Sequence, residues 1–128
     1  SIPELTIDAD MVQQAVLNIA RNASQALRAV ASPQLRVVTR TERQFTIGTV
    51  RHRVVVRIDL IDNGPGVPVE LQDQLFYPMI SGRADGTGLG LSIAQSIVMR
   101  HDGVIEFSSR PGETVFTIIL PLAAARDD

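Results

Sequence analysis

Residues 53–66 read RVVVRIDLIDNGPG, an alternating stretch that ends in a glycine-rich turn. In an extended chain, one side of this stretch is apolar and carries Val54, Val56, Ile58 and Leu60. The other side carries Arg53, Val55, Arg57 and Asp59. The alternation predicts a strand with one buried face, which ends where the turn begins at Asp62. Residues 35–41 alternate in a similar way, so the segment around Gly48 is expected to close a long, twisted antiparallel hairpin.

Helical patterns flank this hairpin. Upstream, a short strand at residues 5–7 leads to Asp8, a suitable N-cap, and to an amphipathic helix that Ser32-Pro33 ends. The apolar stripe of this helix consists of Val12, Val16, Ile19, Ala23, Leu27 and Val30. Downstream, a short helical pattern near residues 70–76 lies within a long loop. A second amphipathic helix is predicted at residues 88–100, and two strands follow at residues 104–108 and 115–120.

The elements therefore come in the order strand, helix, two strands, long loop, helix, two strands. Strands in hairpin pairs favour an α/β (α+β) fold, in which a mixed, mostly antiparallel sheet carries helices on one face as a two-layer sandwich. The loop between Asp62 and Gly90 is rich in glycine and proline. Loops of this length inside a compact domain are usually functional, so the binding site is expected there.

Composition limits the class of protein. A chain of 128 residues with 45% hydrophobic content fills one ordinary core, so a single domain is expected over residues 1–128. The absence of cysteine excludes disulfides and thiolate metal sites and favours a reducing compartment, with the cytoplasm as the expected location. The formal charge of −2 argues against nucleic acid as a partner, and no apolar run is long enough for a membrane helix.

Residues 86–91, with the sequence GTGLGL, form a glycine-rich loop that leads into the second helix. Backbone N–H groups at such a helix N-terminus can bind a phosphate group. Considered alone, the loop is also compatible with a simple turn. The missing lysine excludes a P-loop.

Asp62 stands where the alternating strand ends, and Gly64 and Gly66 leave space beside it. A carboxylate in this position can accept a hydrogen bond from an exocyclic amine such as that of adenine. The alternative, which this motif alone favours, is an Asx turn without a ligand.

Asn18 and Asn22 are spaced i, i+4 on one face of the first helix. Asparagine is disfavoured in helix interiors, so a functional reason for the pair is worth considering. Amide oxygens suit Mg²⁺ beside a triphosphate, because they bind the ion without adding negative charge. Solvated asparagines remain the alternative when the pair is considered alone.

Together, the three motifs resemble, in order and over nearly the whole chain, those of the GHKL (Bergerat-fold) ATPases. The likeness extends to the N, G1, F and G2 boxes of sensor histidine kinase catalytic domains. The resemblance implies Mg-ATP as ligand, with Asn22 binding magnesium, Asn18 acting near the γ-phosphate and Asp62 contacting adenine beside Thr114. The implied nucleotide contacts also include Gly64 and Gly66 of the G1 box and Gly86, Thr87, Gly88, Leu89 and Gly90 of the G2 box.

The lid sequence at residues 76–83, FYPMISGR, resembles that of nitrogen-regulation sensor kinases of the NtrB type. This likeness implies Phe76 as the lid anchor and Arg83 as the catalytic cation nearest the polyphosphate. The implied reaction transfers the γ-phosphoryl group to a histidine of a separate upstream dimerisation domain, which is absent from this chain. The implied partners are that domain, an NtrC-like response regulator and a PII-like protein. Many histidine kinases have a cation and a tyrosine where this chain has Gln25 and Ala26.

Several further expectations concern activity. Asn18 replaces the general-base glutamate of the family's hydrolysing members, so negligible ATP hydrolysis is predicted because an amide cannot accept a proton. His52 and His101 are expected to be structural. Two other functions stay open: a stand-alone GHKL serine kinase of the anti-sigma type, and a non-enzymatic, nucleotide-gated module for a PII-like regulator. The six arginines in residues 36–57 form either a docking surface or a solvated strand face.

Overall fold

The computed structural model describes residues 9–73 and 89–122, without the side chains of Leu89 and Gly90. In chain order, the elements in these ranges are α1 (Ala9–Ala26), β1 (Leu35–Ile47), β2 (Val50–Asp62), α2 (Val69–Gln72), α3 (Leu89–Arg100), β3 (Val104–Arg110) and β4 (Glu113–Pro121). The predicted order of helices and strands is confirmed for these ranges. None of the helices in them is both long and apolar enough to cross a membrane.

The strands form one sheet in the order β1-β2-β4-β3, and each pair is antiparallel. Helices α1 and α3 pack on one face of this sheet, so the predicted two-layer α/β sandwich is confirmed. The shared core consists of Ala15, Ile19, Ile58, Leu60, Leu91, Ala94, Ile97, Val98, Ile105, Phe116, Ile118 and Leu120. The strand predicted at residues 5–7 lies outside the described residues, so a mixed sheet stays a prediction.

The prediction that β2 buries only one face is wrong. Val55 is 0% exposed and Asp59 is 7% exposed, although alternation directs both away from the helices. Thr117, the β4 partner of Asp59, is also buried on this side. Thr117 Oγ1 donates a hydrogen bond of 2.5 Å to Asp59 Oδ1, and Arg57 Nε donates one of 3.2 Å to Oδ2. The buried carboxylate is tolerated because both of its oxygens accept hydrogen bonds.

The hairpin of β1 and β2 is longer than the alternation predicted. Its register runs from Leu35 opposite Asp62 to Ile47 opposite Val50, and Gly48 adopts a φ of 62° in the turn. β4 pairs with β2 only from Val55 to Asp62. The distal half of the hairpin therefore projects as a two-stranded ribbon. Most of its side chains are exposed or half-buried, His52 is buried, and hydrophobic alternation is lost.

The two long helices end in different ways. α1 ends at Ala26, before the predicted stop at Ser32-Pro33, because hydrogen bonds of the i→i+3 kind, such as Val30 N–H to Leu27 O at 3.0 Å, tighten its last turn. α3 ends in a Schellman motif, with Asp102 at φ 62° and a bond of 2.9 Å from Gly103 N–H to Val98 O. A Cβ on Gly103 would clash with the Ile119 carbonyl, so this helix end packs directly on β4.

Candidate functional site

Asp62 is the last residue of β2 and is only 4% exposed. Its Oδ1 accepts a hydrogen bond of 2.9 Å from the Gly64 N–H, which is the Asx-turn geometry. Burial raises the pKa of this carboxyl above 3.8, and the Gly64 hydrogen bond opposes that rise. Oδ2 makes no hydrogen bond within the described ranges. The Asx turn and the ligand contact are therefore compatible, since one oxygen holds the turn and the other can accept a bond from a ligand.

A polar row crosses the end of the sheet at Asp62. Thr114 pairs with Asp62 between β4 and β2, and Ser109 pairs with Thr114 between β3 and β4. The Ser109 and Thr114 hydroxyl oxygens lie 2.8 Å apart. Ser109 Oγ also accepts a bond of 2.8 Å from the Val67 N–H. The row places the Thr114 hydroxyl on the same face as Asp62 and holds it through Ser109.

The turn after Asp62 is fixed from two sides. Asn63 Oδ1 accepts a bond of 2.8 Å from the Gln34 N–H, and Asn63 Nδ2 donates one of 2.9 Å to the Ser32 carbonyl. On the other side, the Gly112 N–H donates a bond of 3.0 Å to the Gly64 carbonyl. Gly66 adopts a φ of 92°, and a Cβ there would lie 2.8 Å from the Arg110 carbonyl oxygen. Glycine is required at this position both for the backbone angle and for the close approach.

Helix α1 approaches this turn at its C-terminal end. A Cβ on Gly64 would lie 3.5 Å from the Cβ of Ala26, so helix and turn are in contact there. Asn22 and Asn18 precede Ala26 by one and two i, i+4 steps on the same helix stripe, and both are half-buried. Each step is about 6 Å along the axis. The backbones of Asn22 and Asn18 therefore lie about 6 and 12 Å from Ala26 along the helix axis.

A cavity of about 320 Å³ opens between these elements. It is lined by Ala26, Ala29, Val30, Asn63, Gly64, Pro65 and Gly112. Of the predicted site residues in the described ranges, only Gly64 contributes to this lining. Its small and apolar lining suits a flat, uncharged group such as an aromatic base, whose flat faces require apolar contact.

The donors along α1 also fit a particular metal chemistry. Within the described ranges, no three histidine, cysteine, aspartate or glutamate side chains cluster as a metal site. The oxygen ligands on the stripe are the neutral amides of Asn18 and Asn22. Such donors fit a magnesium ion that obtains its remaining ligands from phosphate oxygens and water.

The remaining predicted site residues are only partly covered. Leu89 and Gly90 form the start of α3, as expected for a helix that begins at the glycine loop. Arg83, Gly86, Thr87 and Gly88 lie outside the described residues, as does Phe76. Their predicted contacts stay predictions.

The sequence did not identify Ser109 and Gly112 as residues of the site, nor the position of Ala26 beside the turn. The signal for Ser109 was present, because a tight hairpin around Pro111-Gly112 places Ser109 opposite Thr114. No comparable signal existed for the contact of Ala26 with Gly64, which depends on the packing angle of α1. The two histidines lie away from this site: His101 Nδ1 donates a bond of 2.8 Å to the Ile97 carbonyl at the end of α3, and His52 is buried in the hairpin.

The chain belongs to the family of histidine kinase-, DNA gyrase B- and HSP90-like ATPases, whose model matches residues 7–124. The nucleotide-binding class expected from the three motifs is thereby confirmed. Among curated relatives, the sensory histidine kinase/phosphatase NtrB of Klebsiella oxytoca is 54% identical over 122 residues, which are 95% of this chain and 35% of the relative. NtrB of Rhodobacter capsulatus is 38% identical over 127 residues, again 35% of its length. The chain thus spans about a third of the length of these relatives.

Several solved structures with a similar fold are histidine kinase domains. The nucleotide-free catalytic domain of histidine kinase ThkA superposes with a TM-score of 0.73 at 26% identity, over 91% of this chain and 69% of that one. The mycobacterial sensor histidine kinase MprB gives a TM-score of 0.68 at 25% identity, over 92% and 76% of the two chains. The predicted likeness to histidine kinase catalytic domains of the NtrB type is therefore confirmed for sequence and fold.

Proposed function

We propose that this chain is the catalytic domain of a nitrogen-regulation sensor kinase, which binds Mg-ATP and passes its γ-phosphoryl group to a histidine on a separate dimerisation domain. The observation that carries the proposal is the buried Asp62, with one oxygen held by the turn and the other available beside Thr114. The second oxygen can accept a hydrogen bond, and the exocyclic amine of adenine supplies a donor.

The base and the phosphates then bind at opposite ends of the α1 stripe. Adenine lies at Asp62, between the turn and Ala26, in this proposal. Asn22, about 6 Å further along the helix, binds Mg²⁺, and Asn18 lies beside the γ-phosphate. The ion, when bound, neutralises charge on the phosphate oxygens. Arg83 and the backbone of residues 86–90 complete the phosphate contacts in this proposal.

Phosphoryl transfer requires positioning and charge neutralisation more than covalent chemistry from the protein. In the proposed reaction, an imidazole nitrogen of the acceptor histidine forms a bond to the γ-phosphorus as the bond to the ADP oxygen breaks. Asn18 cannot take a proton from water, so hydrolysis is negligible. The isolated chain binds ATP but does not phosphorylate itself, because its own histidines are in the hairpin and at the end of α3.

The proposal includes three protein partners and a location. The acceptor domain supplies the histidine, an NtrC-like response regulator receives the phosphoryl group, and a PII-like protein regulates the kinase. We place these reactions in the cytoplasm. The support for these partners is the similarity to NtrB proteins over 95% of the chain.

Calorimetry with ATP and with a non-hydrolysable analogue, each with and without Mg²⁺, tests the binding step. Addition of a histidine-bearing dimerisation domain of a sensor kinase then tests transfer. The expected product is an acid-labile, base-stable phosphohistidine on the added domain. An acid-stable phosphoserine on another protein would instead support the serine-kinase alternative, and nucleotide binding without any transfer would support the binding module.

A further inference from the structure

The strongest charge feature outside the nucleotide site is the β1–β2 hairpin. Residues 36–57 contain six arginines and one glutamate, a net charge of +5, in a chain whose total is −2. The rest of the chain therefore carries −7. Positive charge is concentrated on one element, while the remainder of the molecule is acidic.

The register places most of these arginines on one face. Arg36, Arg40, Arg51, Arg53 and Arg57 all alternate to the side of the hairpin that lies opposite the helices. Neighbouring positions on a strand face are about 6.6 Å apart, and adjacent strands are about 4.8 Å apart. Arg36, Arg40, Arg43, Arg51 and Arg53 are exposed, whereas Arg57 is half-buried.

Neutralisation of this charge is uneven. At the inner end, Glu42 Oε2 lies 3.5 Å from Arg40 Nε and 3.6 Å from an Arg57 nitrogen, and Asp59 pairs with Arg57. Towards the tip, Arg51 Nε bonds only the neutral Gln44 Oε1, at 3.0 Å. Arg43, Arg51 and Arg53 form no ion pair within the described ranges. We call residues 43–53, which extend beyond the pairing with β4, the arginine ribbon. Arg51 and Arg53 lie on its face opposite the helices, and Arg43 lies on the other face.

We propose that the arginine ribbon is a docking surface for an acidic patch on another protein. Arginine presents a planar fork that binds carboxylates in a bidentate manner, and strands hold the forks at fixed spacings. A long polyanion or an anionic membrane would also approach the rest of the chain, whose net charge is −7, and would be repelled by it. A protein patch of limited size meets the ribbon alone. The ribbon also has no exposed aromatic residue on which a base could stack.

The test uses the chain with a peptide of alternating glutamate and alanine, whose glutamine counterpart is the control. Isotope-labelled protein reports the contact by amide shift changes, which are expected at residues 36–57. The double variant R51E/R53E is expected to weaken peptide binding at least about tenfold, because two favourable pairs become repulsive. The matched variant R21E/R100E makes the same change in total charge at exposed positions elsewhere and is expected to retain the peptide affinity.

Several results would overturn the proposal. These are equal losses in the two double variants, shift changes at α1 or the turn after Asp62 instead of the ribbon, and tighter ribbon-dependent binding of single-stranded DNA or phosphatidylserine vesicles. ADP titration of R51E/R53E serves as the folding control, since the ribbon lies apart from Asp62. Loss of peptide binding with ADP binding retained separates this inference from the proposed kinase function.

Discussion

Asp62 and Thr114 face each other across β2 and β4, both 4% exposed, at the end of the sheet where α1 meets the turn. Thr114 is oriented by Ser109, and Asp62 by the Gly64 N–H. The pair is therefore positioned before any ligand arrives, and a ligand amine would find its acceptor already in place. Because these polar groups are already positioned, binding has a smaller free-energy cost for ordering the site.

The first prediction concerns the charge of Asp62. The variant Asp62→Asn keeps an oxygen for the Gly64 N–H but loses the charged acceptor, so ATP affinity is expected to fall about 10- to 100-fold. Burial raises the pKa of Asp62 above the unfolded value of 3.8, so the folded state favours the protonated form. The stability linked to this group is present below pH 3.8 and is lost as pH rises through the raised pKa.

Above its raised pKa, the ionised Asp62 therefore destabilises the fold, and the Asp62→Asn variant is expected to melt there at the same or a higher temperature. Calorimetry measures the affinity, and thermal unfolding measures the stability. Asp73→Asn, at an exposed position, is the matched control. Unchanged ATP affinity in the Asp62 variant would contradict the adenine contact.

The second prediction separates the metal from the nucleotide. Asn22→Ala is expected to abolish the gain in ATP affinity that Mg²⁺ produces, because the amide oxygen that binds the ion is removed. Affinity without Mg²⁺ is expected to change little. Titrations with and without the ion measure the difference, and Ser24→Ala, on the exposed side of the same helix, is the control. A variant that still responds to Mg²⁺ like the unmodified protein would assign the ion elsewhere.

The third prediction compares two glycines with the same backbone angle. Gly66 and Gly112 both adopt a φ of 92°, but a Cβ on Gly112 would meet nothing within 4 Å. Gly112→Ala is expected to lower the free energy of unfolding by about 1–2 kcal/mol, the cost of the left-handed angle alone. Gly66→Ala is expected to lower the free energy of unfolding by clearly more, since its Cβ would collide with the Arg110 carbonyl. Equal losses in urea denaturation would show that the turn shifts freely away from β3.

The fourth prediction concerns Asp59 on the opposite face of the sheet. Burial raises its pKa, but the hydrogen bonds from Thr117 and Arg57 outweigh this, and the pKa is lowered below 3.8. The stability that Asp59 contributes is therefore present above pH 3.8 and is lost as pH falls through the lowered pKa. Thr117→Val is expected to reduce stability by about 1–3 kcal/mol at neutral pH.

The same substitution is expected to make unfolding less dependent on pH in the acid range. Urea denaturation at neutral and acidic pH measures both effects. Thr46→Val, at an exposed position of β1, provides the comparison. If the two threonine variants lost equal stability, the Thr117–Asp59 bond would contribute nothing specific.

Local patterns predicted most of the fold. Alternation located β2, because the residues that face the helices are all apolar, and the stripe through Ile19 and Ala23 located α1, because it marks the buried side of that helix. The burial of Val55 was not predictable, since it depends on what covers the second face of the sheet. The end of α1 at Ala26 was also missed, because i→i+3 bonding leaves no pattern in the sequence.

In the candidate site, too, local patterns predicted some features, and tertiary packing determined the others. Asp62, Asn18 and Asn22 were predicted because their residue types are unusual for their positions in a strand end and a helix. Which of them lie together depends on tertiary packing, and the contact between Ala26 and Gly64 supplies that link. Ser109 was missed because its role comes from the hairpin register.

The spacing of Asn18, Asn22 and Ala26 along α1 can be compared with the length of a nucleotide's phosphate chain. The buried residues of this helix, Ala15, Ile19 and Ala23, pack against the core and fix the backbone positions of Asn18 and Asn22 relative to the Asp62 end. A monophosphate would be too short to reach the far amide, whereas a triphosphate would span the row. In the proposed binding mode, selectivity for chain length would be set by the rise of a single helix.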